Sequence, residues 1–362
     1  MSETKSPAEI RAERMASMRS EWNNLSTRAT LGQAQDAIED VGGRIEGIPH
    51  RIEAIRKRGY IYGRGWKAQA DALRRNWPAR RLEARRILDE RKAELRELSK
   101  EIDNSLRPTN LPDSVIDRLE SMIDGAESRI SSAESNVRGA YDSLENQLGA
   151  LENELRQVES SLEALDAASF QLFPEEHLVT ASEAVWTDGK DEPKGYLFLT
   201  DGRVVFEQRE KKATKKVLFI TTKSELLQEK LWEAAIGVIE DVELEDKRGG
   251  LLGLGSKEML TLRFRERTRE LPSDVTVQVK GTTNEAWQSL IKRVQSGDID
   301  SEREGAGGAA AGSPATPAAP PTPATPSAEI PTKCPTCGGQ LPTVYKGMRE
   351  LTCEYCGSKV RF

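Results

Sequence analysis

The sequence predicts a multidomain α + β protein with a long antiparallel helical coiled coil, a β-rich domain that ends in a helix, and a small cysteine-containing module at the end. Three observations predict this fold class. Apolar residues repeat with a period near 3.5 up to about residue 169. Beyond that point the period is near 2. All four cysteines of the 362 residues lie in two C-x-x-C pairs after residue 333.

The composition argues against several classes of protein. The net charge is −6, 31% of the residues are charged and 5% are aromatic, which is too polar for one large core and fits a coiled coil with small domains. Four cysteines are too few for a disulfide scaffold. Because neither an apolar N-terminal leader nor an apolar run of about 20 residues occurs, we expect a reduced, cytoplasmic protein that contacts a membrane, if at all, only at its surface.

The helical region, residues 1–169, is predicted from a regular apolar seam. Between Leu119 and Leu165 the apolar residues recur in steps of four and three, with one extra step of four that ends at Leu148. This is a heptad repeat with a single stutter, which is typical of coiled coils.

Two breaks divide this region into three long helices. Three glycines interrupt the pattern in "RGYIYGRG" (58–65), and two prolines interrupt it in "RPTNLPD" (107–113). Short connections between long helices favour antiparallel neighbours, so we expect an elongated bundle that is either self-contained or a homodimer. The predicted helices are residues 8–58, 66–106 and 113–168.

Residues 170–297 are predicted to form strands followed by one helix. In "GYLFLTDGRVVFEQ" two β-rich runs flank Asp201-Gly202, which is a strong hairpin signal. Further strands are predicted at "KKVLFIT" (215–221), "MLTLRFRE" (259–266) and "DVTVQVKG" (274–281). The helix is predicted over 283–295, with one apolar face made of Trp287, Leu290, Ile291 and Val294.

The stretch "PEEHLVTASEAVWTDGKDEPKGYLFLTDGRVVFEQ" contains a polar strand and a hairpin of the form G-x-L-x-L-T-D/N-x-R. The hairpin positions are occupied by Gly195, Leu197, Leu199, Thr200, Asp201 and Arg203. In these features residues 170–297 resemble the GRAM and bacterial pleckstrin-homology-like (PH-like) families. The resemblance implies a bent barrel that the terminal helix plugs at one end, and a domain that binds lipid head groups or protein partners.

Two loops of this domain are candidate binding surfaces. "REKKATKK" (209–216) is cationic, and "GGLLGLG" (249–255) is apolar. Basic residues beside exposed leucines would dock on anionic lipid. In the interpretation that we favour, the lysines keep an edge hairpin soluble and the leucines cap the barrel. The candidate lysines are Lys211, Lys212, Lys215 and Lys216.

Residues 298–331 are predicted to be a disordered linker. They include "GAGGAAAGSPATPAAPPTPATPS", which is rich in Pro, Ala and Gly and nearly free of large apolar groups. Such a segment buries too little surface to offset the entropy of ordering. The module beyond it, residues 332–362, is therefore tethered at a distance.

That module contains "CPTCG" and "CEYCG", with 15 residues between the two pairs (353 − 337 − 1). Four thiolates at this spacing can close one tetrahedral site on a hairpin, and the glycine after each pair permits a sharp turn. The module resembles the zinc ribbon family, which implies one structural zinc ion held by Cys334, Cys337, Cys353 and Cys356. Iron bound in the rubredoxin manner is the alternative. A thioredoxin-like role is disfavoured because no βαβ pattern surrounds either pair.

Residues 51–92 form a basic stretch, with 14 Lys and Arg against 5 Asp and Glu, and with aromatic residues interleaved. Such a surface can bind nucleic acid or a membrane. We favour pairing with residues 113–168, which hold 13 Asp and Glu against 4 Lys and Arg. The remaining exposed candidate is then the turn at 58–65, with Tyr60, Tyr62 and Arg64.

No group of residues in the sequence predicts catalysis, and apart from the predicted zinc ligands none predicts cofactor binding. The two histidines, His50 and His177, fall in different regions without predicted partners, and no G-x-x-x-x-G-K-S/T loop occurs. We therefore expect a non-enzymatic adaptor that engages protein partners, at a membrane surface or away from it, through the coiled coil, the PH-like domain and the zinc ribbon. The alternative is a nucleic-acid-associated factor that uses the ribbon and residues 51–92.

Overall fold

The structure, a computed structural model, is a mixed helix-and-sheet protein that divides into two compact units. The first unit comprises Met1–Ile52 and Trp66–Asn153, and the second comprises Glu53–Gly65 and Glu154–Phe362. None of the helices in the described part of the chain combines the length and the apolar character that crossing a bilayer requires. The structure describes residues 6–109, 111–187, 191–217, 220–248, 256–265, 271–305, 333–336, 340–341, 348–353 and 358–361, without the side chains of 212–224, 246–248 and 256.

Five helices occupy the region predicted to hold three. The first predicted helix is divided at Leu31, whose φ of 52° is incompatible with a continuous α-helix. The third is divided at 140–141, four residues before the predicted stutter begins at Leu144. The helices are α1 Pro7–Ala29, α2 Gly32–Lys57, α3 Trp66–Leu106, α4 Asp113–Gly139 and α5 Asp142–Asp166.

The apolar seam predicted on the third helix is buried. From Leu119 to Val137 on α4, and from Leu144 to Leu162 on α5, the seam residues are at most 7% exposed. Burial of such a face contributes most of the stability of helices in proteins, because propensity alone is marginal in water.

Side-chain contacts fix the directions of the helices within the first unit. α1 and α2 run parallel to α4 and α5, because ion pairs join residues at a nearly constant separation along the chain. These pairs are Arg14–Asp117 (2.6 Å), Arg28–Glu134 (2.8 Å) and Arg44–Glu152 (2.6 Å). α3 runs antiparallel to α1 and α2. Trp22 Nε1 donates to Asp103 (2.7 Å), and further along the bundle Lys92 donates to Gln35 (2.6 Å).

The predicted packing of the second helix on the third is found, since α3 packs against α4. The predicted pairing of their charges is not found among the described ion pairs of α3, although Arg58 of the basic stretch 51–92 pairs with Asp166 of the acidic stretch 113–168 at 2.7 Å. The acidic side chains of α4 and α5 reach arginines of α1 and α2. The arginines of α3 pair with Glu39 and Glu46 of α2, or with glutamates of α3 itself. The physical reason is that each helix of the bundle has two neighbours, and a run of charge does not say which neighbour it will face.

The second unit contains one seven-stranded antiparallel sheet in the order β4-β3-β2-β1-β7-β6-β5. The strands are β1 Leu178–Trp186, β2 Lys194–Thr200, β3 Arg203–Val217, β4 Ile220–Ala235, β5 Ile239–Arg248, β6 Ser256–Phe264 and β7 Asp274–Val279. β4 and β5 are the two edges of this sheet in the described residues, so hydrogen bonds do not close the predicted barrel.

The hairpin predicted at Asp201-Gly202 is confirmed, since Leu199 of β2 pairs with Val204 of β3 across that turn. The strand predicted over 215–221 is not a separate strand. Val217 pairs with Ile220, so this stretch holds the end of β3 and the start of β4 in one long hairpin. Its β-rich composition is as typical of a hairpin end as of a strand, which explains the error.

The predicted terminal helix is α6, Asn284–Ser296. Thr283 is its N-cap residue, and the Thr283 side chain accepts from the Ala286 N–H and so satisfies one of the open donors of the first turn. Trp287 is buried and its Nε1 donates to Ser182 Oγ of β1 at 3.0 Å. This contact packs α6 on the sheet.

Gly195 lies where β2 and β3 approach closely. A Cβ at this position would lie 1.8 Å from the Glu207 carbonyl oxygen and 2.7 Å from the Arg209 nitrogen, both of which are backbone atoms. We expect Gly195→Ala to lower the free energy of unfolding of the second unit by about 3 kcal/mol, because the two strands must separate. Urea unfolding measures this effect.

The control for this prediction is Gly125→Ala on α4, where a Cβ would meet nothing within 4 Å. That change should stabilise the first unit by roughly 0.5–1 kcal/mol, since alanine loses less backbone entropy than glycine in a helix. Equal changes in the free energy of unfolding in the two variants would contradict the close approach of β2 and β3 at Gly195.

Candidate functional site

The cysteine module has a small core of its own. Cys334 and Cys353 are 2% and 1% exposed and pack with Leu341 and Val360. One cysteine of each predicted pair therefore lies in the same buried cluster, although 18 residues separate them (353 − 334 − 1). The two antiparallel strands of the module are β8 Glu350–Thr352 and β9 Lys359–Arg361.

Two backbone contacts fold the chain around these cysteines. Lys333 forms an antiparallel bridge with Gln340. The Cys353 N–H donates to the Ser358 carbonyl oxygen at 2.9 Å. Each contact brackets one C-x-x-C pair, as expected of two turns that present thiols to a shared ion.

The chemistry of this core fits a tetrathiolate zinc site. A thiolate buried among apolar side chains needs a compensating cation or hydrogen bonds, and two of the four predicted ligands share one cluster. Cys337 and Cys356 lie outside the described residues. Within the described ranges, no group of three or more His, Cys, Asp or Glu side chains is placed to hold an ion. The four-cysteine set therefore stays a prediction.

The cationic stretch 209–216 is part of a long β-hairpin rather than a loop. The Arg209 guanidinium is engaged with the buried Glu207 carboxylate at 2.8 Å. Lys211 is exposed, and its backbone pairs with that of Leu226, which is 55% exposed. The other candidates on the two loops fall outside the described side chains or residues: Lys212, Lys215, Lys216 and the whole of 249–255.

The turn at 58–65 is not an exposed aromatic surface, and the interpretation of its tyrosines as surface residues is wrong. Tyr60 and Tyr62 are 7% and 2% exposed, and their rings meet edge to face with centroids 5.7 Å apart. The Tyr60 hydroxyl donates to the Val179 carbonyl of β1 at 3.1 Å. The tyrosines are buried because this turn belongs to the second unit and packs on the sheet. Arg64 is exposed.

Asp201 gathers donors at the turn between β2 and β3. It accepts from the Tyr62 hydroxyl (3.3 Å), from Arg303 Nη2 (3.1 Å) and from the His177 N–H (2.9 Å). The His177 ring nitrogen Nδ1 also lies 3.1 Å from the carboxylate. The sequence placed Asp201 only in a turn and left His177 without a partner. These contacts join segments far apart in the chain, so no local pattern could predict them.

Burial raises the pKa of the Tyr60 phenol above that of an exposed tyrosine, because the phenolate would lose its hydration. Below about pH 10 the phenol is neutral in both the folded and the unfolded state. Above that pH only the unfolded state releases the proton, so the free energy of unfolding should fall as the pH rises. Urea midpoints measured from about pH 9 to about pH 11 should show this fall. In Tyr60→Phe the free energy of unfolding should fall less over this pH range. An equal fall in the variant and the unaltered protein would contradict a raised pKa for Tyr60.

Arg203, the first residue of β3, centres a buried cluster that sequence reasoning missed. It is 5% exposed, and its guanidinium contacts the buried Glu176 carboxylate at 2.9 Å and also pairs with Glu233. The same cation lies 4.0 Å from the ring centroid of Phe173. The family motif names the arginine but not these partners. The cluster holds the segment 170–176 against β3 and β4.

A cleft of about 1000 Å³ borders this cluster. It combines apolar and cationic side chains, and the cysteine module forms part of its lining. Representative lining residues are Phe170, Phe173, Lys230 and Leu271 from the sheet region, and Met348 and Arg349 from the module.

The basic stretch 51–92 is mostly engaged in contacts within the described structure. Twelve of its 14 cations have a hydrogen bond or an ion pair with another residue. Lys67 and Arg75 are exposed and make no such contact with the described residues. Trp66 and Trp77 are buried. A continuous cationic and aromatic surface is therefore not present in this part of the chain.

Comparison with known proteins found no matching protein-family model and no matching curated protein. Several solved structures are similar to part of the chain, including the following two. The C-terminal domain of an unknown protein from Leishmania infantum is 13% identical, with 33% of this chain and 86% of that chain covered and a TM-score of 0.20. The Vps36 N-terminal PH domain is 14% identical, with 36% and 86% covered and a TM-score of 0.22. Both similarities are weak, and they do not indicate a function for this chain.

Proposed function

We propose that the protein is a non-enzymatic adaptor that engages protein partners through a helical coiled-coil region, a GRAM/PH-like domain and a zinc ribbon. The observation that carries this proposal is the separate core of the cysteine module around Cys334 and Cys353. Residues 306–331, within the predicted linker, lead from the end of the sheet unit to that module. A module with its own core on a linker is suited to presenting a binding surface.

The GRAM/PH-like assignment is supported by the order of elements and by the motif residues. Antiparallel strands precede a single helix, as the resemblance implies, and the described sheet has seven of them. Gly195 permits the close approach of β2 and β3. Arg203 anchors the segment that leads into β1. These two motif positions therefore carry structural roles in this fold.

In the proposed zinc ribbon, Cys334, Cys337, Cys353 and Cys356 hold one ion. Four thiolates leave no open coordination position, so the ion supplies folding energy rather than catalysis. The shared burial of Cys334 and Cys353 supports this arrangement.

We also propose a cytoplasmic location, with any membrane contact made by the long β3–β4 hairpin. Lys211 beside the exposed Leu226 is the described pair of residues with suitable chemistry. Co-sedimentation with anionic liposomes tests this contact. If the protein binds neutral and anionic liposomes equally, and Lys211→Glu does not change this binding, the proposed membrane contact is wrong.

The adaptor proposal is tested by affinity capture from the cell of origin, with the full chain and with a chain that ends at residue 331. We expect a defined set of proteins to be retained by the first and lost from the second, as measured by quantitative mass spectrometry. The alternative, a nucleic-acid-associated factor, predicts steeply salt-dependent retardation of DNA or RNA. Such retardation without any loss of proteins would overturn the adaptor proposal.

A further inference from the structure

Arg349 of the cysteine module contacts the segment that precedes β1. Its Nη2 donates to the Pro174 carbonyl oxygen at 2.8 Å. Its guanidinium carbon lies 5.8 Å from the ring centroid of Phe173. An arginine can satisfy both contacts at once, because its planar cation offers donors at the rim and a flat face to an aromatic ring.

The surface that receives Arg349 is already ordered by other contacts. The Phe173 N–H donates to Glu176 Oε2 at 2.7 Å. The buried Glu176 carboxylate is paired with Arg203, whose cation lies 4.0 Å from the same Phe173 ring. This surface, formed by Phe173, Pro174 and Glu176 and called the platform below, is therefore preorganised. Little conformational entropy is lost when the module docks on it.

The contact is small enough to be reversible. Arg349 is exposed, and Phe173 stays 38% exposed with the arginine in place. An exposed cation–π contact of this kind contributes little free energy and is weak between separate molecules. Here the two partners belong to one chain, separated by the 27 residues 306–332. For a linker of the kind that this composition predicts, the effective concentration is on the order of mM, which lets a weak contact stay formed.

We propose that the cysteine module docks on its own chain through Arg349, and that this docking shields Phe173 and one side of the adjoining cleft from other molecules. The occupant of the platform is thus a named part of the same protein. Release of the module exposes the Phe173 ring and the lining of the cleft together. A partner that needs this surface can bind only when the module is released. Its apparent affinity is therefore reduced in proportion to the fraction of molecules in which the module is released.

The docking is inferred from the contacts alone, whereas its regulatory effect on partners rests on the proposed adaptor function. The two are tested separately. Hydroxyl-radical footprinting of the full chain reads the docking, because the side chains of Phe173 and Met348 are both reactive and both line the cleft. It needs no partner, so its result does not depend on the capture experiment.

We expect Arg349→Ala to raise the oxidation rate of Phe173 by about twofold, since the ring loses one of the two cations that lie near it. Lys359→Ala is the matched control. It removes a cation from the same hairpin, 67% exposed and paired only with Glu350 in the described residues, and it does not line the cleft. Its footprint should equal that of the unaltered chain. Hydrogen exchange of residues 348–353 verifies that the module stays folded in both variants.

A second variant tests whether the docking is intramolecular. Duplicating residues 306–332 doubles the connection, and should shift the ratio of docked to released module by about 2.8-fold toward release. The Phe173 footprint should also be independent of protein concentration. An unchanged footprint in Arg349→Ala would overturn the proposal. A footprint that falls as the protein is concentrated would instead show docking between copies and would overturn it as well.

Discussion

Replacing Cys353 with serine is expected to abolish bound zinc and to unfold the C-terminal module. The side chain is 1% exposed and is one of the four proposed ligands. A module of about 30 residues cannot bury enough surface to fold unaided, and a structural zinc ion supplies on the order of 10–16 kcal/mol in such peptides. Elemental analysis should find one zinc per chain in the unaltered protein and none in the variant. Hydrogen exchange of residues 348–353 and 358–361 should become fast.

The matched control is Thr352→Ala, which changes the preceding, exposed residue of β8. That variant should keep the metal and the slow exchange. The first unit and the seven-stranded sheet of the second unit should be unaffected in both variants, because the small cluster around Cys353 is formed by residues of the module itself. An unaltered protein that holds no metal, with all four thiols freely titratable, would contradict the zinc ribbon.

Arg203→Ala is expected to destabilise the second unit by about 3–5 kcal/mol, because it leaves a buried carboxylate without its cation. Glu176 and Arg203 have side chains only 2% and 6% exposed, and they contact at 2.9 Å. Arg203 Nη2 also donates to the Gln171 carbonyl oxygen at 2.9 Å, so the change releases the segment before β1 as well. Urea unfolding of the second unit measures the effect.

Arg263→Ala is the control for this prediction. Arg263 lies on β6 of the same sheet, but its pair with Glu243 is exposed, with side chains 55% and 47% accessible. Its removal should change the stability by less than about 1 kcal/mol. Glu176→Ala added to Arg203→Ala should restore part of the loss, because the uncompensated charge is then gone. Equal effects of Arg203→Ala and Arg263→Ala would show that the buried pair does not stabilise the sheet.

The candidate sites differ in how much of them could be predicted. Cys334 and Cys353 were predicted as neighbours from their spacing, and the structure places both in one core. The tyrosines of the turn at 58–65 were predicted as exposed, because a glycine-rich turn offers few local packing partners. They are buried because β1 and Asp201 lie against that turn, and nothing within the turn encodes this.

The Arg203 cluster and the Arg349 contact could not be predicted either. Each joins residues brought together only by the folded sheet: Arg203 with Glu176 and Glu233, and Arg349 with Phe173. The partners are ordinary charged and aromatic residues, which are common throughout this chain. The hairpin motif therefore identifies Arg203 of β3 but does not predict which residues it contacts.

By itself the sequence determined the extent of the helical region, the Asp201-Gly202 turn, the position of α6 and the apolar seam of α4 and α5. These features depend on residues a few positions apart, whose period and turn chemistry are local properties. The tertiary structure alone decided that acidic side chains of α4 and α5 pair with arginines of α1 and α2, that the sheet is open between β4 and β5 in the described residues, and that Tyr60 and Tyr62 are buried. Those outcomes depend on which of several compatible neighbours each surface meets, and that choice is made by the packing of the whole unit.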